Sequence, residues 1–306
     1  MNKENEYFDK DENKNELEND AKKRQDIERS YVAAEQSVTE SYEIHPDVIE
    51  TNHIDSPLVI FYGPREIGKT VALLRLSKYI GRKYMVDLDE GYRNDMAYEK
   101  IVIQFKSIMN NFQFAPEATG AINFLVLNVV EKNGSPFCKI LEAPGEHYFD
   151  PLNPEKQYPP YLLRIFYSNV RKIFVFFFTI EMFNDDRLYS AYSKRIEDLV
   201  KKQIDPKKDR IIILCNKVDM TQHIINGRPK KYHLKNMIYH HPENKGLIEA
   251  IKTSRQKSVY FIPFSSGVFV EADVNGQQKK VFVHSNDRYP KKLWDAIFKC
   301  VRGGIF

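Results

Sequence analysis

The sequence predicts an α/β fold, a mixed but mostly parallel sheet flanked by helices. From Pro57 onward, short β-branched and aromatic runs alternate with longer amphipathic stretches, the rhythm of strands joined by crossover helices. The first run also passes straight into a glycine-bearing loop and then a helical stretch. Asn133-Gly134 between two later runs is a hairpin signal, so one strand pair is expected to be antiparallel.

In chain order, the apolar run LVIFY gives a strand at 58–62 and TVALLRLSKYI a helix at 69–80. A helix at 95–110 precedes the hairpin strands at 122–131 and 136–142. A helix at 159–169 leads to the strand at 172–180, and a helix at 185–203 to IIILC in the strand at 210–215. A helix at 243–256, the strand VYFIPF at 258–264 and a helix at 290–301 complete the order. Segments 84–112, 221–242 and 268–289 read as inserts, the last with its own Asn275-Gly276 hairpin. Tyr232, Tyr239, Phe269 and Phe282 in the inserts fit two uses, a partner surface or packing of the inserts onto the domain.

Residues 1–50 hold 15 acidic and 7 basic side chains, which leaves 27 acidic and 39 basic beyond them. So polar a segment buries too little surface to order its backbone, and 1–50 is expected to be a disordered acidic tail ahead of a domain at 51–306. The basic body is compatible with nucleic acid or acidic membrane contact, or with a solvated surface around a site for a polyanion. The start, MNKENEYFDKDENKNELEND, has no apolar stretch, so neither a signal peptide nor an anchor is expected. Ile173–Ile180, the longest apolar run, is too short to span a bilayer. Cys138, Cys215 and Cys300 are odd in number and far apart, and they read as reduced core thiols of a cytoplasmic protein.

GPREIGKT at 63–70 has the form G-x-x-x-x-G-K-S/T in its strand, loop, helix setting. Gly63 and Gly68 let the backbone wrap phosphate oxygens, Lys69 is expected to reach the β- and γ-phosphates, and the Thr70 hydroxyl to ligate Mg²⁺. NKVD at 216–219 follows an apolar strand. The Asp219 carboxylate can accept from the guanine ring N–H and its exocyclic amine, donors that adenine lacks, so the expected ligands are GTP and GDP. Lys217 is expected along the base, and Asn216 to tie its loop to the phosphate loop. The same motif argues against an ATP-dependent kinase or motor.

With these motifs in order, residues 57–302 resemble the P-loop GTPases of the translation-factor and Ras-like (TRAFAC) class. The resemblance implies one mixed sheet, a guanine-nucleotide site, Mg²⁺ and two switch segments. It implies that EAPG at 142–145 stands for the family's D-x-x-G, with Glu142 holding a Mg²⁺-bound water and Gly145 giving its N–H to the γ-phosphate. Ser265-Ser266-Gly267 stands for the guanine-carbonyl loop. Thr119, just before the hairpin, is the implied switch-one ligand of Mg²⁺, or else a loop-capping residue. The acidic tail, the inserts and the third motif are also similar to bacterial regulatory GTPases, including the double-GTPase type.

Two departures bear on catalysis. Glu146 stands in the water-positioning place of the family and His147 one residue late, and both fit either catalytic roles or solvated switch residues. Arg65 in the phosphate loop fits either a cationic group in cis or an obstruction to a partner's arginine. The expectation is a slowly hydrolysing GTP switch that acts on an unidentified protein effector through GTP-dependent contact. The alternative is a guanine-nucleotide-binding scaffold without hydrolysis.

Overall fold

The computed structural model describes residues 56–89, 99, 103, 105, 125–220, 224–225, 228–254, 259–274 and 277–303. The chain divides into two units, Met1–His45 and Pro46–Phe306, and every described residue falls in the second. The expected acidic tail, Thr119 and most of the expected 95–110 helix lie outside the described residues.

Seven strands form the main sheet, β1 (Leu58–Tyr62), β2 (Met85–Leu88), β3 (Leu125–Val130), β4 (Pro136–Glu142), β5 (Lys172–Thr179), β6 (Arg210–Asn216) and β9 (Val259–Pro263). Their spatial order is β2-β3-β4-β1-β5-β6-β9. β4, β1, β5, β6 and β9 run parallel, while β2 and β3 are antiparallel to their neighbours. This is the expected mixed, mostly parallel α/β sheet. Every residue of β1 and β5 is buried, as helices on both faces of a parallel sheet require. Phe174, Phe176, Phe177 and Phe178 are all fully enclosed, each contributing about 1.5–3 kcal/mol by burial.

Among the described residues, the α-helices with defined bounds are α1 (Lys69–Ile80), α2 (Gly145–Tyr148), α3 (Pro160–Tyr167), α4 (Asp186–Lys202), α5 (Lys231–Tyr239), α6 (Lys245–Thr253) and α7 (Arg288–Arg302). α1 packs on α7, and α4 on α6. Asp185 caps α4 by accepting from the Leu188 N–H at 2.9 Å, and Gly303 ends α7 in the left-handed region. Tyr84, Phe137, Trp294 and Phe298 form an aromatic cluster that joins α7 to β4.

The hairpin between β3 and β4 turns at Asn133-Gly134 as predicted, with Gly134 at φ 85° and Asn133 Oδ1 accepting from Ser135 N at 3.0 Å. The inserts hold more regular structure than the sequence indicated. β2 is an edge strand inside the first insert. The second holds α5 and a two-residue ribbon, β7 (Ile224–Ile225) with β8 (Arg228–Pro229). The third is a separate ribbon of β10 (Gly267–Val274) and β11 (Gln277–His284), with Val274 opposite Gln277. Asn275 and Gly276 lie outside the described residues. All three cysteines are buried and unbonded, and burial pushes the Cys215 and Cys300 thiols up to about 12, so they stay protonated.

Candidate nucleotide-binding site

Because β1, β4, β6 and β9 run parallel, the segments at their carboxyl ends share one edge of the sheet, where such folds bind ligands. The register confirms the juxtaposition: Phe61 lies beside Glu142, Thr179 beside Asn216, and Cys215 beside Pro263. Residues 63–70, 142–148, 216–219 and 265–267 are thereby gathered from four distant parts of the chain. This is a P-loop α/β fold.

In the P-loop, Glu66 at φ 63° and Gly68 at φ 86° are both left-handed. Glycine tolerates that conformation, whereas Glu66 holds it at a cost of about 1–3 kcal/mol. α1 then begins at Lys69, so its first N–H groups face the loop's concavity. Lys69 is buried, and its Nζ donates to Gly63 O at 3.0 Å and Pro64 O at 3.2 Å. Burial lowers its pKa, and the nearby carboxylates of Glu142 and Glu146 partly restore it.

The Thr70 hydroxyl donates to Glu142 Oε1 at 2.5 Å, bringing two of the three implied metal-site residues together. The other oxygen, Glu142 Oε2, is buried without a partner, and burial raises the carboxyl's pKa to about 7 against the opposing pull of Lys69 and Thr70. Next to it, Gly145 touches the P-loop so closely that a Cβ there would lie 2.1 Å from Arg65 N. Only glycine permits this approach.

Asn216 Nδ2 donates to Ile67 O at 2.8 Å, the tie between loops that the sequence implied. Lys217 is left-handed at φ 53°, and its Nζ pairs with Glu181 Oε2 at 3.1 Å. Asp219 is half-buried in the turn Val218–Met220. Phe264 N donates to Cys215 O at 2.7 Å and Val218 N to Phe264 O at 3.2 Å, which joins the NKVD loop to Ser265 and Ser266. Both of those serines are buried with hydroxyls that have no partner, as is Asn216 Oδ1.

The residues singled out for hydrolysis diverge. Arg65 and Glu66 are exposed, and so is Glu146. His147 is half-buried, with Nδ1 at 2.8 Å from the Tyr161 hydroxyl on α3, and burial lowers its pKa to about 4. Thr119 lies outside the described residues.

Several residues around the site carry no motif and escaped the sequence reading. Tyr148 is fully buried with its ring 5.9 Å from Lys69 Nζ, and its carbonyl accepts from Tyr62 Oη at 3.2 Å. Tyr62 also pairs with Tyr158 at 2.8 Å, and the Tyr192 hydroxyl donates to Phe177 O at 3.0 Å. For all but Tyr62, the one visible signal is the density of tyrosines in 148–192.

No family model matches the sequence, and no curated protein matches it. Among solved structures, the chain is similar to one of the chloroplast translocon components atToc33 and psToc159, for whose GTPase activity dimerization is important. That match has 12% identity and a TM-score of 0.40 over 89% of this chain and 92% of the other. It is also similar to the GTPase-like domain of Ski7 from S. cerevisiae bound to GTP, at 16% identity and a TM-score of 0.40 over 82% of this chain and 50% of that one. The same domain bound to GDP and inorganic phosphate matches at 16% identity and a TM-score of 0.37, over 70% of this chain and 43% of that one. No described helix is long and apolar enough to cross a membrane.

Proposed function

We propose that this chain binds GTP with Mg²⁺ along the shared edge of 63–70, 142–148, 216–219 and 265–267 and hydrolyses it slowly to GDP and phosphate, as a molecular switch. The observation that carries the reading is a set of orphaned polar atoms at the strand ends and loop around the P-loop: Glu142 Oε2, Asn216 Oδ1, Ser265 Oγ and Ser266 Oγ. Each buried, unpaired group costs about 1–3 kcal/mol, so a ligand that gives partners to these four is favoured there. Glu142 and Thr70 offer oxygen donors of the kind a hard divalent cation takes, and they would hold a Mg²⁺ whose positive charge would offset the negative charge of the phosphates. Lys69 exchanges its two carbonyl partners for phosphate oxygens. Gly145 offers its N–H beside the γ-phosphate, and Asp219 takes the guanine N–H groups.

Hydrolysis is slow because no complete catalytic set is supplied among the described residues. An ionised Glu146 can only accept from water, whereas an amide in its place both accepts and donates. His147 is held by Tyr161 and serves to position the 145–148 turn. Turnover on the order of 10⁻⁴ to 10⁻² s⁻¹ is expected, with Arg65→Ala slowing it if that guanidinium acts in cis. A second reading, a nucleotide-binding scaffold without hydrolysis, is favoured by the same two residues; absent phosphate release in a single-turnover assay, with GTP still bound, would establish it. In either case the output is a GTP-dependent contact with a protein partner, made by the loop after α2, where Leu152 is 96% exposed. Competition titration tests the base: GTP and GDP should displace a fluorescent guanine nucleotide and ATP should not, and Asp219→Asn should move the preference to XTP. Equal displacement by ATP and GTP would refute the guanine assignment.

A further inference from the structure

Two peptide planes in the Ser265-Ser266-Gly267 loop are gripped from behind by a residue that belongs to no nucleotide-binding motif. Ser285, just past the returning strand of the β10–β11 ribbon, donates its hydroxyl to Ser265 O at 2.5 Å and its backbone N–H to Ser266 O at 3.2 Å. The approach is close because Gly267 lacks a side chain: a Cβ there would meet Val283 O at 2.2 Å. A peptide unit is planar and trans, so the carbonyl of Ser265 and the N–H of Ser266 point in opposite directions. Fixing the carbonyl toward Ser285 therefore aims the Ser266 N–H away from it, and fixing Ser266 O does the same for the Gly267 N–H. A hydrogen bond accepted by the carbonyl also polarises the peptide and strengthens its N–H as a donor.

Ser285 is itself held. The Arg75 guanidinium, buried on α1, donates to Ser285 O at 2.9 Å and pairs with Asp287, whose other oxygen takes Arg82 at 2.6 Å. The helix that starts at Lys69 thus braces the loop that ends at Gly267, through a serine brought there by the 268–289 insert. We infer that Ser285 is a positioning residue for base recognition, aiming the Ser266 and Gly267 N–H groups at the 6-oxygen of guanine. The inference rests on the guanine-nucleotide reading above.

The test compares GDP with the diphosphate of 2-aminopurine riboside, which lacks the 6-oxygen, on the full chain. Ser285→Ala should weaken GDP binding about threefold to tenfold, the worth of a neutral hydrogen bond, and leave the ratio of variant to wild-type affinity near one for the analogue. Ser285→Thr, which keeps the hydroxyl, should stay near wild type, and Ser285→Val, its shape-matched counterpart, should behave like Ser285→Ala. An equal loss for both nucleotides, or no loss for either, with wild type still preferring GDP over ADP, would overturn the role of Ser285 alone. A wild-type protein that does not prefer GDP over ADP would overturn the guanine reading and this inference with it.

Discussion

At the scale of single residues, burial decides which side chains are available for chemistry. His147 sits where a reader of the motif looks for a catalytic group, yet its ring is engaged with Tyr161 and its pKa is lowered to about 4 by desolvation, with Lys156 and Lys69 also disfavouring the charged form and Glu146 opposing them. Its folded pKa lies below the unfolded value of roughly 6.5, so its contribution to stability is fully present above about pH 6.5. As pH falls toward 4, the unfolded chain takes up a proton that the native chain refuses, and that contribution is lost. His147→Gln can keep a bond to Tyr161 but cannot titrate. Urea unfolding of the two proteins at pH 7 and pH 4.5 should therefore find the variant losing less stability than wild type on acidification; parallel losses would mean that His147 is protonated in the fold. Asn216 makes a complementary case. Its Nδ2 is the donor to Ile67 O, so Asn216→Ala strands a buried carbonyl and should cost about 1–3 kcal/mol in denaturant unfolding.

At the scale of elements, the short turn α2 is held by both of its ends. Gly145 lies against the P-loop backbone, while the Tyr148 ring packs on Tyr62, which in turn meets Tyr158 and Tyr192, and the Arg195 guanidinium lies 3.8 Å from the centre of the Tyr158 ring. A methyl group at 145 cannot fit while Arg65 N is where it is, so Gly145→Ala must push the turn off the P-loop. It should cost about 1–3 kcal/mol in unfolding free energy, as overpacking does, and speed amide exchange across 145–149. Unchanged exchange there would mean that the contact is loose. In the unsubstituted protein, exchange over 143–158 should slow when GDP is replaced by a non-hydrolysable GTP analogue, because the γ-phosphate adds a partner for the turn.

At the scale of the domain, the carboxyl edge of the seven-stranded sheet carries polar atoms without partners. A ligand that binds only the folded chain stabilises it by mass action, about 2.7 kcal/mol at a hundredfold excess over its dissociation constant. GDP with Mg²⁺ should therefore raise the thermal midpoint markedly and ADP should not, a measurement that needs no knowledge of the partner. The body's excess of basic residues favours binding of any polyanion, so the comparison belongs at physiological salt, where contacts with exposed charges are screened.

The sequence by itself determined the α/β class, the strand order along the chain and the four motif segments, because each is a local pattern: an apolar run, a glycine spacing, a strand that ends in NKVD. Strands 58–62 and 136–142 and the helix 69–80 match the structure residue for residue for that reason. β2 and α5 were read as insert because their sequences are half-exposed and weakly periodic, and their identity comes from what they pack on: β2 pairs with β3, and α5 packs on β9. The tertiary structure alone decided how the motifs meet. The left-handed turns at Glu66 and Lys217, the closeness of Gly145 to Arg65, the engagement of His147 by Tyr161 and the reach of Ser285 to Ser265 all join residues through space or through backbone geometry. A pattern along the chain encodes what each residue is able to do; which groups it faces is fixed only when the sheet brings distant strand ends to one edge.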